Sequence, residues 1–264
     1  MKLFNRYTLS ILLFSSAIAC KKIINVDLNN AAPVLVVQGN VTNEAGPYTV
    51  KLTKSVSYSA DNVYPTVSGA IVKITDDSTG VADLLSEVSA GVYATNVTKG
   101  SPLHTYHLYI NAEGKEYTAV STMPQQVFLD SLTFLTTAFF GRKATNPIPN
   151  FQDIAGIYNA YRFLETVNST PLKQIFVFND RLSDGKYIAR QLNNDSTYIQ
   201  IGDTVKVEMQ CIDKPNFTYF KELSGQDPTN GQPTSPSNPT SNVSNGALGY
   251  FNAHTVQKVQ KVFN

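Results

Sequence analysis

Apolar residues along this chain recur with a period of two. In Tyr48-Thr49-Val50-Lys51-Leu52-Thr53 they alternate with polar ones, and Ala70, Val72 and Ile74 do the same before the turn residues Asp76-Asp77 and Gly80. Successive side chains of an extended strand point to opposite faces, so this alternation predicts strands with one buried face. Val34-Leu35-Val36-Val37 adds a compact, largely β-branched run that ends at Gly39-Asn40. Gly91-Val92-Tyr93 starts another strand, and Tyr106, Leu108 and Ile110 line one face of the next. Asn111-Ala112-Glu113-Gly114-Lys115 then turns the chain as a hairpin into Tyr117-Thr118-Ala119-Val120. Turn signals recur about every eight to twelve residues with no helical pattern between them, which predicts an Ig-like β-sandwich domain over residues 32–122.

Met123-Pro124-Gln125-Gln126 reads as a seam, and residues 123–264 as a second β-rich domain. Strands are expected over 128–136, 158–167, 174–179, 186–192, 197–211 and 247–253, with Asp184-Gly185-Lys186 as a hairpin turn. Phe217, Phe220 and Leu223, spaced by three, predict one short amphipathic helix over 215–223. Residues 224–246 are dominated by Ser, Gly, Pro, Asn and Thr. Such a segment cannot bury enough apolar surface to fold alone and reads as a long loop, closing at Gly246-Ala247-Leu248-Gly249-Tyr250-Phe251 as a returning strand. No repeat of solenoid period is evident. The fold class is therefore all-β.

The first residues carry a different pattern. Lys2 and Arg6 precede an apolar run of Leu9, Ile11, Leu12, Leu13 and Phe14, and the small residues that follow lead through Ala17-Ile18-Ala19 into Cys20. The apolar core is too short for a stable membrane span, so residues 1–19 read as a signal peptide. Cys20 sits where the bacterial lipobox places the thiol that receives a diacylglycerol and becomes the mature N-terminus. Residues 20–31 then form a lipid-anchored tether, with the protein expected at the outer membrane. Lys21 and Lys22 stand where surface-export signals tend to be acidic, and the periplasmic or cell-surface side stays open at this point.

Removing residues 1–19 from 264 leaves 245, with 19 basic against 20 acidic side chains. That balance, and the lack of any block of like charge, argues against nucleic acid as a partner. Besides Cys20 the sequence contains only Cys211, so acylation of Cys20 excludes an intrachain disulfide. Cys211 ends the alternating run Val205-Lys206-Val207-Glu208-Met209-Gln210-Cys211, which places it on a buried strand face as a small core residue.

Candidate chemistry is thin. His104 and His107 are three apart, but strand alternation points them to opposite faces, and no third His or Cys completes a zinc set. His254, alone near the C-terminus, is expected at the surface, and Asp76-Asp77 reads as a turn doublet. No Gly-x-Ser-x-Gly elbow, phosphate-cradling glycine loop, His-Glu-x-x-His motif or calcium loop occurs. No catalytic residue, metal ligand or cofactor is assigned, and the protein is not expected to be an enzyme. Tyr58, Tyr64, Phe139 and Phe140 fall in loop-like stretches, where exposed aromatics would give a partner large rigid contacts, although packing between sheets accounts for them more simply. The sequence has no Trp, which counts against a dedicated glycan platform. Ser78, Ser131, Ser196 and Thr204 each follow Asp before a small or aliphatic residue, the short pattern of O-glycosylation in some exported proteins; the turn role of Asp-Ser explains it equally well.

Several blocks recur together in one family. They are "DLNNAAPVLVVQGNVTNEAGPYTVKLTKS", "SGAIVKITDD", "GVYATN", "YHLYINAEGKEYTAVSTMP", "LDSLTF", "DRLSDGK", "IGDTVKVEMQCID" and "NPTSNVSNGALGYFNAHTV". In that order, behind a lipobox cysteine, the chain resembles the lipoproteins of Bacteroidota that carry the domain of unknown function 4249. The resemblance implies an outer-membrane lipoprotein encoded close to a TonB-dependent receptor, acting as an accessory or binding component of uptake. It supplies no catalytic residues. The alternatives are a stand-alone glycan- or peptide-binding lipoprotein and, further off, a hydrolase with its site in the 224–246 loop.

Overall fold

The computed structural model describes residues 32–57, 61, 63–139, 142–194, 199–225 and 237–264. The signal peptide, Cys20, the tether to residue 31, Tyr58, Phe140 and Ser196 lie outside the described residues. The period of two sets the first strands. β1 (Leu35–Thr42) buries Leu35, Val37, Gly39 and Val41 and turns the intervening residues outward. β2 (Thr49–Lys54) pairs antiparallel with it and buries Val50 and Leu52. β6 (Val92–Ala94) pairs with β2, and β5 (Ser86–Ser89) lies at the edge. A four-stranded sheet packs opposite: β4 (Ala82–Leu84), β3 (Ile71–Asp76), β7 (Thr105–Ala112) and β8 (Lys115–Thr122), in that spatial order. Val37, Val50 and Leu52 from one sheet and Val72, Ile74 and Ile110 from the other are all 0 % exposed and share one apolar cluster. The β7–β8 hairpin turns through Glu113 (φ 51°) and Gly114 (φ 75°), consecutive left-handed residues that suit the twist of a two-residue turn.

The second half holds β9 (Leu129–Phe139), β10 (Arg142–Gln152), β11 (Ala160–Val167), β12 (Thr170–Pro171), β13 (Phe176–Asn179), β14 (Tyr187–Ala189), β15 (Thr204–Cys211), a helix α1 (Lys214–Gly225) and β16 (Leu248–Val262). Among the described residues the fold is all-β with one short helix, and the helix lies where residues 215–223 predict it. Asp213 starts it: its Oδ1 accepts from Asn216 N at 3.0 Å, and Pro215 sits in the first turn, where its missing N–H costs nothing.

β10 and the turn at residues 184–186 differ from the sequence expectation. β10 is an eleven-residue strand that the sequence hides behind Pro147 and Pro149. Alternate residues of an antiparallel strand aim their backbone polar groups to alternate sides. The carbonyls of Pro147 and Pro149 accept from Leu192 N at 3.0 Å and Arg190 N at 3.2 Å, so both prolines direct their missing donors away from β9. The β9 register therefore runs unbroken from Arg142–Phe139 to Asn150–Ser131. Asp184-Gly185-Lys186 is a turn but not a hairpin, because β13 pairs with β11 while β14 pairs with β10. It carries the chain from one sheet to another.

Pro33–Asn264 forms one compact unit. The returning strand expected at 247–253 continues to Val262, since residues 248–254 pair parallel with β1 and residues 255–262 pair antiparallel with β15. β16 contributes Phe251 and Ala253 to the sandwich core and Val259 to a second core built on β11 and β15, where Tyr161, Phe163, Val205 and Val207 are all 0 % exposed. On the far face of β11, α1 packs Phe217 and Phe220 against Ala160 and Ile212.

The parallel β1–β16 contact needs Gly249. Its φ is +91°, and a Cβ there would stand 1.9 Å from the Val37 carbonyl oxygen. Gly114 also has a left-handed φ of +75°, but nothing lies within 4 Å of its Cβ position. Gly249→Ala is therefore expected to cost more than about 3 kcal/mol, and Gly114→Ala about 1 kcal/mol, in urea unfolding. Equal losses would contradict the close approach of the two strands.

Candidate functional site

The β13–β14 connection brings several charged side chains together. Asp153, distant in sequence, and Asp180 and Asp184, four residues apart, bring one carboxylate oxygen each to within 4.8 Å of one another. Each is held by the chain. Gly185 N donates to Asp153 Oδ2, Asn159 N to Asp180 Oδ2 and Gly156 N to Asp184 Oδ1, all at 2.8 Å. The Tyr161 hydroxyl donates to the other oxygen of Asp153, and burial, then that hydrogen bond, keeps the phenol protonated far above its ordinary range. An oxygen-only donor set is the chemistry of a hard divalent cation. Here the carboxylates staple residues 153–159 to residues 180–185 and brace the loop from beneath.

The outer side of this loop has the opposite charge. Between it and α1 lies a cleft of about 550 Å³ whose lining includes Arg181, Lys186, Arg190 and Lys221 and no acidic residue. The Arg190 guanidinium lies 5.0 Å from the Phe178 ring centre, and Lys221 Nζ lies 5.8 Å from that of Phe217. Lys186 Nζ donates to the Leu182 carbonyl at 3.3 Å. Among the described residues none of these four cations joins an ion pair. Leu182 is 89 % and Tyr187 57 % exposed beside them. Flat apolar side chains and unpaired cations in a volume of this size are the makings of a ligand pocket.

The residues singled out by sequence do not converge there. His104 Nδ1 meets Asp76 Oδ2 at 2.9 Å and His107 Nε2 meets Asp77 Oδ2 at 2.7 Å, so the two histidines take separate partners on opposite faces. Burial alone would raise the Asp76 carboxyl, but hydrogen bonds from His104, Thr79 and Ser78 outweigh it and hold the group below its ordinary value. Cys211 is buried in the second core, and burial raises its thiol. Ser78 is exposed in the β3–β4 turn, Ser131 is exposed on β9, and Thr204 is half-buried at the start of β15, where its N–H donates to Asn168 Oδ1. Tyr64 is 52 % exposed, and the Phe139 side chain lies outside the described residues.

His254 is not at the surface. It is 3 % exposed because β16 runs on past it as an inner strand, and burial lowers its imidazole to about 4. Glu165, 1 % exposed in the second core, is its counterpart: burial raises its carboxyl to about 7, partly offset by Asn194. Sequence reasoning passed over the cleft cations. The run Arg181-Leu182-Ser183-Asp184-Gly185-Lys186-Tyr187-Ile188-Ala189-Arg190 holds three of them, a local signal, but the interleaved Asp184 hides their imbalance and Lys221 joins them only through folding.

An all-β sandwich with a braced, cation-lined cleft thus carries the sequence. The chain belongs to the family described as Domain of unknown function (DUF4249), which matches residues 21–260. Comparison with curated proteins gives no match. Among the described residues no helix is long and apolar enough to cross a membrane.

Asp153→Asn weakens the acceptor for Gly185 and Tyr161, so trypsin should cut after Arg181 and Lys186 about tenfold faster than in the wild type; an unchanged cleavage rate would show that the brace does not hold the loop. Glu165, with its folded value above the ordinary 4.5, stabilises the fold relative to its ionised form below that value and gives up stability as pH rises through about 7. His254, lowered from 6.5 to about 4, gives up stability as pH falls through that window. Glu165→Gln should therefore gain stability relative to wild type on going from about pH 5 to about pH 8, as read by urea midpoints. His254→Gln should show the opposite trend.

Proposed function

We propose that this protein is a non-enzymatic lipoprotein of the outer membrane, of the kind found in Bacteroidota, that serves a TonB-dependent uptake receptor as a binding or accessory component. The observation that carries the binding reading is the cleft beside the β13–β14 connection, with its open cations and exposed apolar side chains on a braced loop. The lipobox context of Cys20 supports the anchor, and twelve residues separate that cysteine from Pro33, where the folded unit begins. Acyl chains at Cys20, each buried methylene contributing about 0.8 kcal/mol, would confine the protein to the membrane. Confinement beside a receptor raises its effective concentration without any new contact, so a weak interface suffices. The cleft would then take up a nutrient ligand or present it.

Fractionation and affinity capture test this reading. Wild-type protein should sediment with outer membranes and carry an acylated Cys20 by mass spectrometry, while Cys20→Ser should move to the soluble fraction. Capture of the native lipoprotein in mild detergent after cross-linking should recover a TonB-dependent receptor. An unacylated wild-type N-terminus removes the anchor. Repeated capture without any receptor removes the accessory role and leaves a stand-alone binder.

A further inference from the structure

We infer that the cleft between the β13–β14 connection and α1 binds a small organic anion, one with a flat apolar body and a carboxylate or phosphate head. The inference rests on the reading of this cleft as the ligand site and is independent of the lipid anchor. Charge carries it first. The whole chain has 21 basic and 20 acidic side chains, yet the cleft lining has Arg181, Lys186, Arg190 and Lys221 and no acid. The neighbouring acids are engaged elsewhere: Asp180 by Asn159 N, Asp184 by Gly156 N, and Glu222 of α1 by Thr240 N. The fold thus separates the charges of one loop, drawing the carboxylates into the brace and leaving the cations toward the cleft.

Side-chain chemistry narrows the ligand. Two of the four cations are arginines, whose planar forks match carboxylate and phosphate oxygens in pairs. Arg190 lies over Phe178 and Lys221 over Phe217, which holds both cations at the cleft wall, while the Tyr187 ring, 57 % exposed in the same lining, offers a face to a flat apolar body. Leu182, 89 % exposed, offers further apolar surface at the rim. A cleft of about 550 Å³ falls within the small-molecule range of roughly 300–1,000 Å³. It is a local pocket rather than the extended basic track that a nucleic-acid backbone needs.

Isothermal titration of the full-length chain carrying Cys20→Ser, which lacks the acyl chains that would absorb the probes, tests the inference with three naphthyl compounds. Naphthoate and naphthyl phosphate should bind saturably, and neutral naphthamide about tenfold more weakly, because a charge-assisted contact is worth about 1.4 kcal/mol or more. Arg181→Gln and Arg190→Gln should each weaken both anions about three- to tenfold while leaving naphthamide unchanged. Leu182→Ala should weaken all three alike, and Lys51→Gln, on β2, should change nothing. The ratio of the two anion affinities identifies the preferred head group. Affinity for the anions should also fall as salt is raised. The inference is overturned if all three probes bind equally, if neither anion binds saturably, or if the arginine variants that retain the wild-type unfolding midpoint bind anions as the wild type does. Anion binding without receptor capture leaves this inference standing and removes the accessory role. Receptor capture with no anion binding does the reverse.

Discussion

Residues 248–254 of β16 pair with β1, and residues 255–262 pair with β15. Each half of the strand therefore has one edge without a strand beside it, and around the hand-over, from Phe251 to Val256, the strand is buried, where unmet backbone groups are costly. Side chains meet them. Asn242 accepts from Phe251 N at 2.9 Å and donates to Phe251 O at 2.7 Å, and Asn216 donates to the same carbonyl at 3.0 Å. Ser121 Oγ accepts from Ala253 N at 2.9 Å, and Asn43 Oδ1 accepts from Val256 N at 2.6 Å. These contacts come from the segment before β16, the first turn of α1, the end of β8 and the turn after β1. The hand-over from one strand partner to the other thus ties β1, β8, α1 and the segment before β16 to one short stretch of backbone.

The same junction positions the helix. Ser121 Oγ donates to Asp213 Oδ2 at 2.6 Å while Asp213 Oδ1 caps the start of α1. Asn216, 0 % exposed, links this cap to the β16 backbone. α1 is fixed by polar contacts at its first turn and by Phe217 and Phe220 along its apolar side. Lys221, one turn after Phe217, is carried to the cleft by that placement. The geometry of the site is in this sense a consequence of how a split strand satisfies its edges.

Burial and charge are arranged differently in the two cores. The sandwich core is an apolar cluster, and the carboxylate buried beside it, Asp83, is met by the backbone N–H groups of Asn96, Val97 and Thr98. The second core holds the protonation-sensitive Glu165 among aromatic and β-branched residues, and His254 lies buried on β16. Their folded values move in opposite directions for one reason, since burial penalises whichever form is charged. Arg162, largely buried on the other face of β11, is kept by a 3.2 Å hydrogen bond to Gln210 and by the Phe220 ring 3.9 Å away.

The alternation around Val50, Val72, Leu108 and Val207 and the triplet Phe217, Phe220, Leu223 determined the strands of the sandwich, the buried place of Cys211 and the helix α1, because burial of one face writes its period directly into neighbouring residues. β10 was hidden because a proline matters only through the side its missing N–H faces, which depends on the partner strand. His254 was misplaced because burial at the end of a chain depends on what pairs beyond it, here β15. The meeting of Asp153 with Asp180 and Asp184, and of Arg181 and Arg190 with Lys221, was decided by tertiary structure alone. Charge in a sequence is a balance along the chain, while charge in a site is a balance in space, and only the packed sheets and helix convert one into the other.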